Sequence, residues 1–254
     1  MSGFTAFAGK EAREILRTWR IWVLPGILLL FALTSPVLAR FTPEILRAAG
    51  GDQLKGLVVP TPTYHDAYAG WIKNLSPAAL FALIIAYGGL VCSERKSGTA
   101  VLVLTKPLSR TAFIMAKAVV HSAFLAVLVI AGTLITWGLT AAIFGPAPGA
   151  ALWSASLAWL LLGVLLIAVM TLLSVLFGSA AGAAGAGLGV YVLLLVASYL
   201  KPLGTYSPAA LAAKVPSSLV AGKDVAVLWP VLTSLLLAAV LFALAAFAFR
   251  RQDL

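Results

Sequence analysis

Six apolar runs divide the chain, at residues 21–39, 76–92, 111–144, 150–177, 180–200 and 225–249, and polar residues collect between them. Crossing about 30 Å of hydrocarbon takes about 20 helical residues, so each run is read as a membrane span. No ten-residue stretch alternates apolar with polar positions, which argues against the strands of a membrane barrel. The expected fold class is an all-α integral membrane protein, with a six-transmembrane-helix bundle over residues 21–249 and a short tail, 250–254. The third run is the longest, and its 34 residues would make a helix of about 51 Å. Lys117 and His121 lie near its start, so its first turns are expected to stand outside the lipid.

Residues 1–20 carry a different period. Lys10, Arg13, Arg17 and Arg20 recur at three- and four-residue steps and make one cationic helix face. Ala8, Ala12, Ile15, Leu16, Trp19 and Trp22 fall opposite. This is the pattern of an N-terminal amphipathic helix lying in the membrane interface. A cleavable signal peptide, with Val37 and Ala39 at the cleavage site, is the rival reading; the length of the amphipathic segment and the five spans that follow count against it.

Composition strengthens the membrane assignment. Of 254 residues, 62% are hydrophobic and 10% charged, with a mean hydropathy of +1.05. A water-soluble domain is nearer half apolar and a quarter charged. A net charge of +10 would point to nucleic acid in a soluble protein, but here the basic residues flank the apolar runs, so membrane lipid and not nucleic acid is the expected partner. Lys10, Arg13, Arg17, Arg20, Arg95, Lys96, Lys106, Arg110, Lys117, Arg250 and Arg251 fall on one side; Arg40, Arg47, Lys55, Lys73, Lys201, Lys214 and Lys223 fall on the other. The excess on the first side puts both termini in the cytoplasm. Cys92 is the sole cysteine, which excludes an intrachain disulfide and a multi-cysteine metal site.

Candidate chemistry is sparse. Every Asp and Glu lies outside the spans or at their ends, which weighs against a secondary transporter with a carboxylate near the midplane. No Gly-x-x-x-x-Gly-Lys-Ser/Thr loop is present, so the chain is expected to bind no ATP of its own. Residues 40–73 read as the largest loop on the non-cytoplasmic side, broken by Pro43, Pro60 and Pro62. In it Tyr64-His65-Asp66 invites a metal but reads better as solvated loop. The other outer loop, 201–224, is expected to fold back as short helices around 209–213. Gly178 with Gly182 and Gly185 with Gly189 form small-xxx-small pairs, read chiefly as packing within the chain, and Gly187 adds a flexible point. Thr133, Thr136, Trp137, Thr140, Thr171 and Ser174 punctuate the spans, as either a passage for an amphiphile or ordinary helix packing.

The loop between the second and third spans, residues 93–110, is the most informative segment. Charged residues leave the membrane, Gly98 and Thr99 offer a turn and a cap, residues 100–104 are apolar, and Pro107 ends the run. Ser109 is placed to cap the long third helix. The expected product is a short surface helix, 98–104, exposing Val101, Leu102 and Leu104, which has little purpose unless lipid or protein covers it. Here the chain resembles the type-2 permeases of ABC transporters, the exporter membrane subunits, at Glu94, Arg95, Gly98, Thr99, Pro107, Ser109, Arg110 and Lys117. The amphipathic N-terminal helix, the six spans and a Pro-containing loop before the last span extend the likeness over the whole chain.

The resemblance implies a permease of two copies, or one copy with a sibling, in a prokaryotic cell membrane. It implies two cytoplasmic ABC ATPase subunits that bind ATP and Mg, while this chain binds no cofactor and catalyses nothing itself. Their closure would push the coupling helix and the N-terminal helix, with residues 100–104, Leu102 among them, filling a groove of the ATPase and Glu94, Arg95 and Arg110 orienting the loop ends. A passive channel or secondary transporter working without an ATPase is the alternative. Substrate stays open among lipid, antibiotic, peptide, sodium and a role in copper-enzyme maturation.

Overall fold

The computed structural model describes residues 3–18, 20–50, 61–105 and 108–252, with backbone alone at residues 20, 49 and 50. It is all helical, and six of its helices are long and apolar enough to cross a membrane. Helix α1 (Gly3–Arg17) precedes the first span, α2 (Arg20–Gly50). The second span is assembled from α3 (Tyr64–Asn74), a π-turn (Leu75–Ala79) and α4 (Leu80–Tyr87). After it come α5 (Cys92–Lys96) and α6 (Thr99–Leu104), then the spans α7 (Arg110–Phe144), α8 (Ala150–Leu176) and α9 (Ala180–Ala197). Three short helices, α10 (Leu203–Tyr206), α11 (Ala209–Ala213) and α12 (Val215–Val220), lead to the last span, α13 (Leu228–Arg250).

Two expectations about the first outer loop are overturned. Residues 40–50 continue α2 as helix, and the second span begins at Tyr64 rather than Ser76. Pro43 does not break the chain; Pro25, Pro36 and Pro43 all lie inside α2. A proline costs a helix one amide donor and opens the turn before it, and neighbouring hydroxyls and helices make that tolerable in a membrane. The Thr34 and Thr42 hydroxyls donate to the Leu30 and Leu38 carbonyls at 2.7 and 2.6 Å. The Ala32 carbonyl, four residues before Pro36, receives the Thr136 hydroxyl at 3.5 Å. In the second span the π-turn takes up Pro77, while the Ser76 hydroxyl donates to the Ile72 carbonyl and its own carbonyl accepts from Tyr191. Pro60 lies outside the described residues.

The centre of the bundle is α8, whose Trp159, Leu162, Leu166, Ile167 and Met170 are fully enclosed. The short helices after α9 do fold back as expected: Ala210, Leu211, Ala212, Val215 and Val220 are buried in the same core. The glycines behave differently from expectation. A Cβ on Gly185 or Gly189 would meet open space, whereas one on Gly187 would collide with Met170 and press on Ile84. Along the middle of α9 the close approach to the bundle is therefore made at Gly187 and not at Gly185 or Gly189, while of the first pair Gly182 lies against Ser179 and Phe177 and Gly178 meets nothing.

Candidate functional site

The structure gathers the N-terminal helix, the 93–110 loop and the C-terminal residues at one end of the bundle. Gly88 to Val91 form turns between α4 and α5, and Gly88 lies against the Ala180 carbonyl, 2.6 Å from where a Cβ would stand. The turn leaves backbone amides for other partners, and the Ser174 hydroxyl of α8 accepts two of them, from Val91 at 2.9 Å and Cys92 at 3.1 Å. The other candidate passage residues are likewise structural. Thr133, Thr136, Thr140 and Thr171 are buried and donate to carbonyls one turn back in their own helices, and Trp137 donates to the Ala147 carbonyl.

Beyond the turns, α5 gives way to α6 at Gly98, whose φ of 74° is a left-handed conformation that glycine adopts without penalty. The Thr99 and Ser97 hydroxyls meet at 2.8 Å across this turn. In α6, Ala100 is buried and Leu104 packs partly on the core, while Val101 is 42% and Leu102 69% exposed. Leu104 thus faces inward rather than out. Pro107 lies outside the described residues. Ser109 caps α7 as the sequence predicts, accepting from the Ala112 amide at 3.1 Å.

Two arginines fasten this loop to the ends of spans. Arg95 donates to the Val175 and Phe177 carbonyls at 3.0 and 3.1 Å, at the C-terminus of α8. Arg110 donates to the Phe249, Arg250 and Gln252 carbonyls, at the C-terminus of α13. Both positions satisfy carbonyls that a helix end leaves without partners and place a cation on its negative pole. Gln252 joins the two anchors, accepting from Arg95 and donating to the Val175 carbonyl at 2.7 Å.

Glu94 does something else. It faces a charge cluster that ties the loop to α1 and α7, with Oε1 2.5 Å from the Lys10 ammonium and 3.1 Å from that of Lys117. Lys117 also binds Glu11 at 2.9 Å, and both side chains are 1% exposed. Lys10 reaches Glu11 at 3.1 Å and Glu14 at 2.5 Å, and His121 Nε2 lies 3.5 Å from Glu11. Aromatic rings close over the cluster: Phe7 stacks on Phe113 at 4.9 Å and Phe113 on Phe249 at 5.1 Å. Burial pushes the Glu11 carboxyl up, but His121, Lys117 and Lys10 outweigh it and hold its pKa well below the usual carboxylate range. Burial likewise pushes Lys10 down, but hydrogen bonds to Glu14 and Glu94 and the charges of Glu11 and Glu94 hold it above the ordinary lysine value.

The carboxylates of Glu11, Glu14 and Glu94 converge closely enough to ligate an ion, but the Lys10 ammonium already bridges all three. The outer His65 and Asp66 do not form a metal pair. Asp66 accepts from the Thr63 amide at 2.7 Å and caps α3, and His65 Nδ1 lies 3.3 Å from the Val220 carbonyl.

The cationic face expected of α1 is divided. Arg13 and Arg17 are exposed, Lys10 turns into the cluster, and the side chain of Arg20 is outside the description. The buried face is Phe7, Glu11 and Ile15, whereas Ala12 and Leu16, assigned to the apolar side, are exposed. Glu11 was invisible to the sequence reading because it sits among basic residues on a helix sorted by charge and greasiness. The available signal was Lys117 and His121, two titratable groups four residues apart at the start of a span with no acid nearby in sequence.

A helical bundle with six membrane-crossing spans and a clamped, partly apolar loop helix at its charged end is a multi-pass membrane protein by architecture. The family described as ABC-2 family transporter protein matches residues 5–254, and the chain belongs to that family. It is a membrane subunit of the kind that partners an ABC ATPase. It is 25% identical over 250 residues, 95% of this chain and 96% of the relative, to "Uncharacterized transmembrane protein YxlG" of Bacillus subtilis (strain 168).

Proposed function

We propose that the chain is the membrane-spanning permease subunit of an ATP-driven ABC exporter. It couples ATP hydrolysis by separate ATPase subunits to translocation across the cytoplasmic membrane of a prokaryote. The complex holds two permease copies, or one with a sibling, and two ATPases that carry the ATP and Mg; both termini and the 93–110 loop face the cytoplasm.

The observation that carries this reading is α6. A free apolar helix on a polar face would be an uncovered liability, yet this one holds Leu102 outward from a base secured by Arg95 and Arg110 to two spans. Pressed by a partner, such a helix moves the ends of α8 and α13 rather than flexing by itself. Glu94 adds a third connection, through Lys10 and Lys117, to α1 and α7. In this reading Gly98 and Thr99 set the turn into α6, Pro107 and Ser109 set the exit, and Glu94, Arg95 and Arg110 position the helix.

Replacing Leu102 with Asp puts a charge where an apolar contact is required. ATPase copurification is expected to drop at least tenfold, and ATP-dependent transport with it, while the melting temperature of the chain stays within a degree or two because Leu102 contributes little to the fold. Full recruitment and transport by L102D would remove α6 from the mechanism. Uphill transport by the purified chain with no ATPase would replace the reading with a secondary transporter.

A further inference from the structure

One to two turns beyond the charge cluster, the flank of α1 along α7 carries a second feature. Helix α1 runs along α7 in the same direction: Phe7 meets Phe113, Glu11 meets Lys117, and Ile15 and Leu16 meet α7 a turn or two further on. Between them lies an open groove of about 380 Å³, with Ile15 and Leu16 on one wall and Val119, Val120, Phe124 and Val127 on the other. Its lining is apolar throughout, yet Leu16 is 64% exposed, Val119 53% and Val127 63%.

Depth decides what such a groove faces. The 35 residues of α7 extend about 52 Å, and the hydrocarbon takes about 20 of them, so counting back from Phe144 puts the boundary near Phe124. The groove therefore straddles the edge of the hydrocarbon, its Val127 end within and its Val119 end among the headgroups. Arg13 and Arg17 flank Leu16 at that level, both exposed and neither in an ion pair or hydrogen bond among the described residues. One turn earlier Lys10 is held by three carboxylates, so the two arginines are a separate, uncompensated pair of charges.

We propose that this groove binds one anionic phospholipid, with an acyl chain along Leu16, Val120 and Val127 and the phosphate between Arg13 and Arg17. An apolar slot entering the hydrocarbon selects a chain, and paired cations at the headgroup level select negative charge. A bound lipid braces α1 against α7. If the exporter reading holds, it thereby stiffens the link from α1 through Glu94 to α6; the lipid site itself does not depend on that reading.

Native mass spectrometry of the full chain, titrated in detergent with phosphatidylglycerol or phosphatidylcholine, tests it. Phosphatidylglycerol should be retained over phosphatidylcholine, and its binding should fall about thirtyfold in R13Q/R17Q and in part in each single variant. Ala123→Trp, which fills the groove, should displace lipid while leaving both arginines in place. Equal retention of the two lipids by the wild type, or undiminished phosphatidylglycerol binding in R13Q/R17Q, overturns the proposal. So does loss of a bound ATPase in R13Q/R17Q with lipid retention unchanged, which would make this a protein-docking face. Competition by free glycerol phosphate as effective as by the lipid would reduce it to a headgroup site.

Discussion

Glu11 and Lys117 are 106 positions apart and meet at 2.9 Å with almost no water around them. Taking away one partner strands the other charge, which costs about 3–5 kcal/mol. Glu11→Gln and Lys117→Met are each expected to lower the melting temperature in detergent by several degrees, and the double variant by less than their sum. Additive losses would show that the two do not act as a pair. Glu11 and its neighbour Lys10 set a pH dependence. The folded pKa of Glu11 is lowered, so its contribution is complete above its unfolded value of about 4.3 and is lost as pH falls towards the folded one. The folded pKa of Lys10 is raised, so its contribution is complete below about 10.4 and is lost as pH rises through the folded value. Between these limits the contributions of Glu11 and Lys10 are both complete. Melting temperature followed from pH 7 down to 3.5 should fall more steeply in the wild type than in E11Q, and parallel curves would remove Glu11 from the account.

At the scale of elements, the second span is the least regular and the most dependent on its neighbours. Ser174→Ala leaves the Val91 and Cys92 amides without their acceptor, at a cost of about 1–3 kcal/mol. Gly187→Ala forces Met170 aside, for about 1–3 kcal/mol, while Gly185→Ala, whose Cβ meets open space, should leave the melting temperature of the isolated chain unchanged. A G185A effect as large as that of G187A would contradict the packing of α9. The apolar runs located these spans in the sequence because a long hydrophobic window is a local sum. The start of α3 at Tyr64 and the passage of α2 through Pro43 were not legible there. Tolerance of a proline depends on hydroxyls and helices that replace its missing bond, and Thr136 lies far along the chain from Ala32.

The whole molecule has one charged end, where α1, α5, α6, the start of α7 and Gln252 interlock, and an opposite end capped by α10 to α12. In a C92A background, cysteines introduced at Thr5 and Gln252 should react with a membrane-impermeant thiol reagent from the same side of sealed vesicles, and one at Lys223 from the other. Labelling of Thr5 and Gln252 positions from opposite sides would break the even-span topology. Most of α9 and α13 faces outward, as spans in contact with lipid do.

Hydropathy, which adds up residue by residue, was enough to establish the solvent, the helical class, the number of crossings and the loop on which the family likeness rests. Cap chemistry at Ser109 and the turn at Gly98 were legible for the same reason, since each involves groups within a few residues. Which charge answers which was not. Arg95 finds Gln252 across 157 positions, and the acid that neutralises Lys117 comes from a helix whose recurring charges are basic. Electrostatic partners are chosen by distance in space under a strong penalty for burying a lone charge, and only the folded chain fixes those distances.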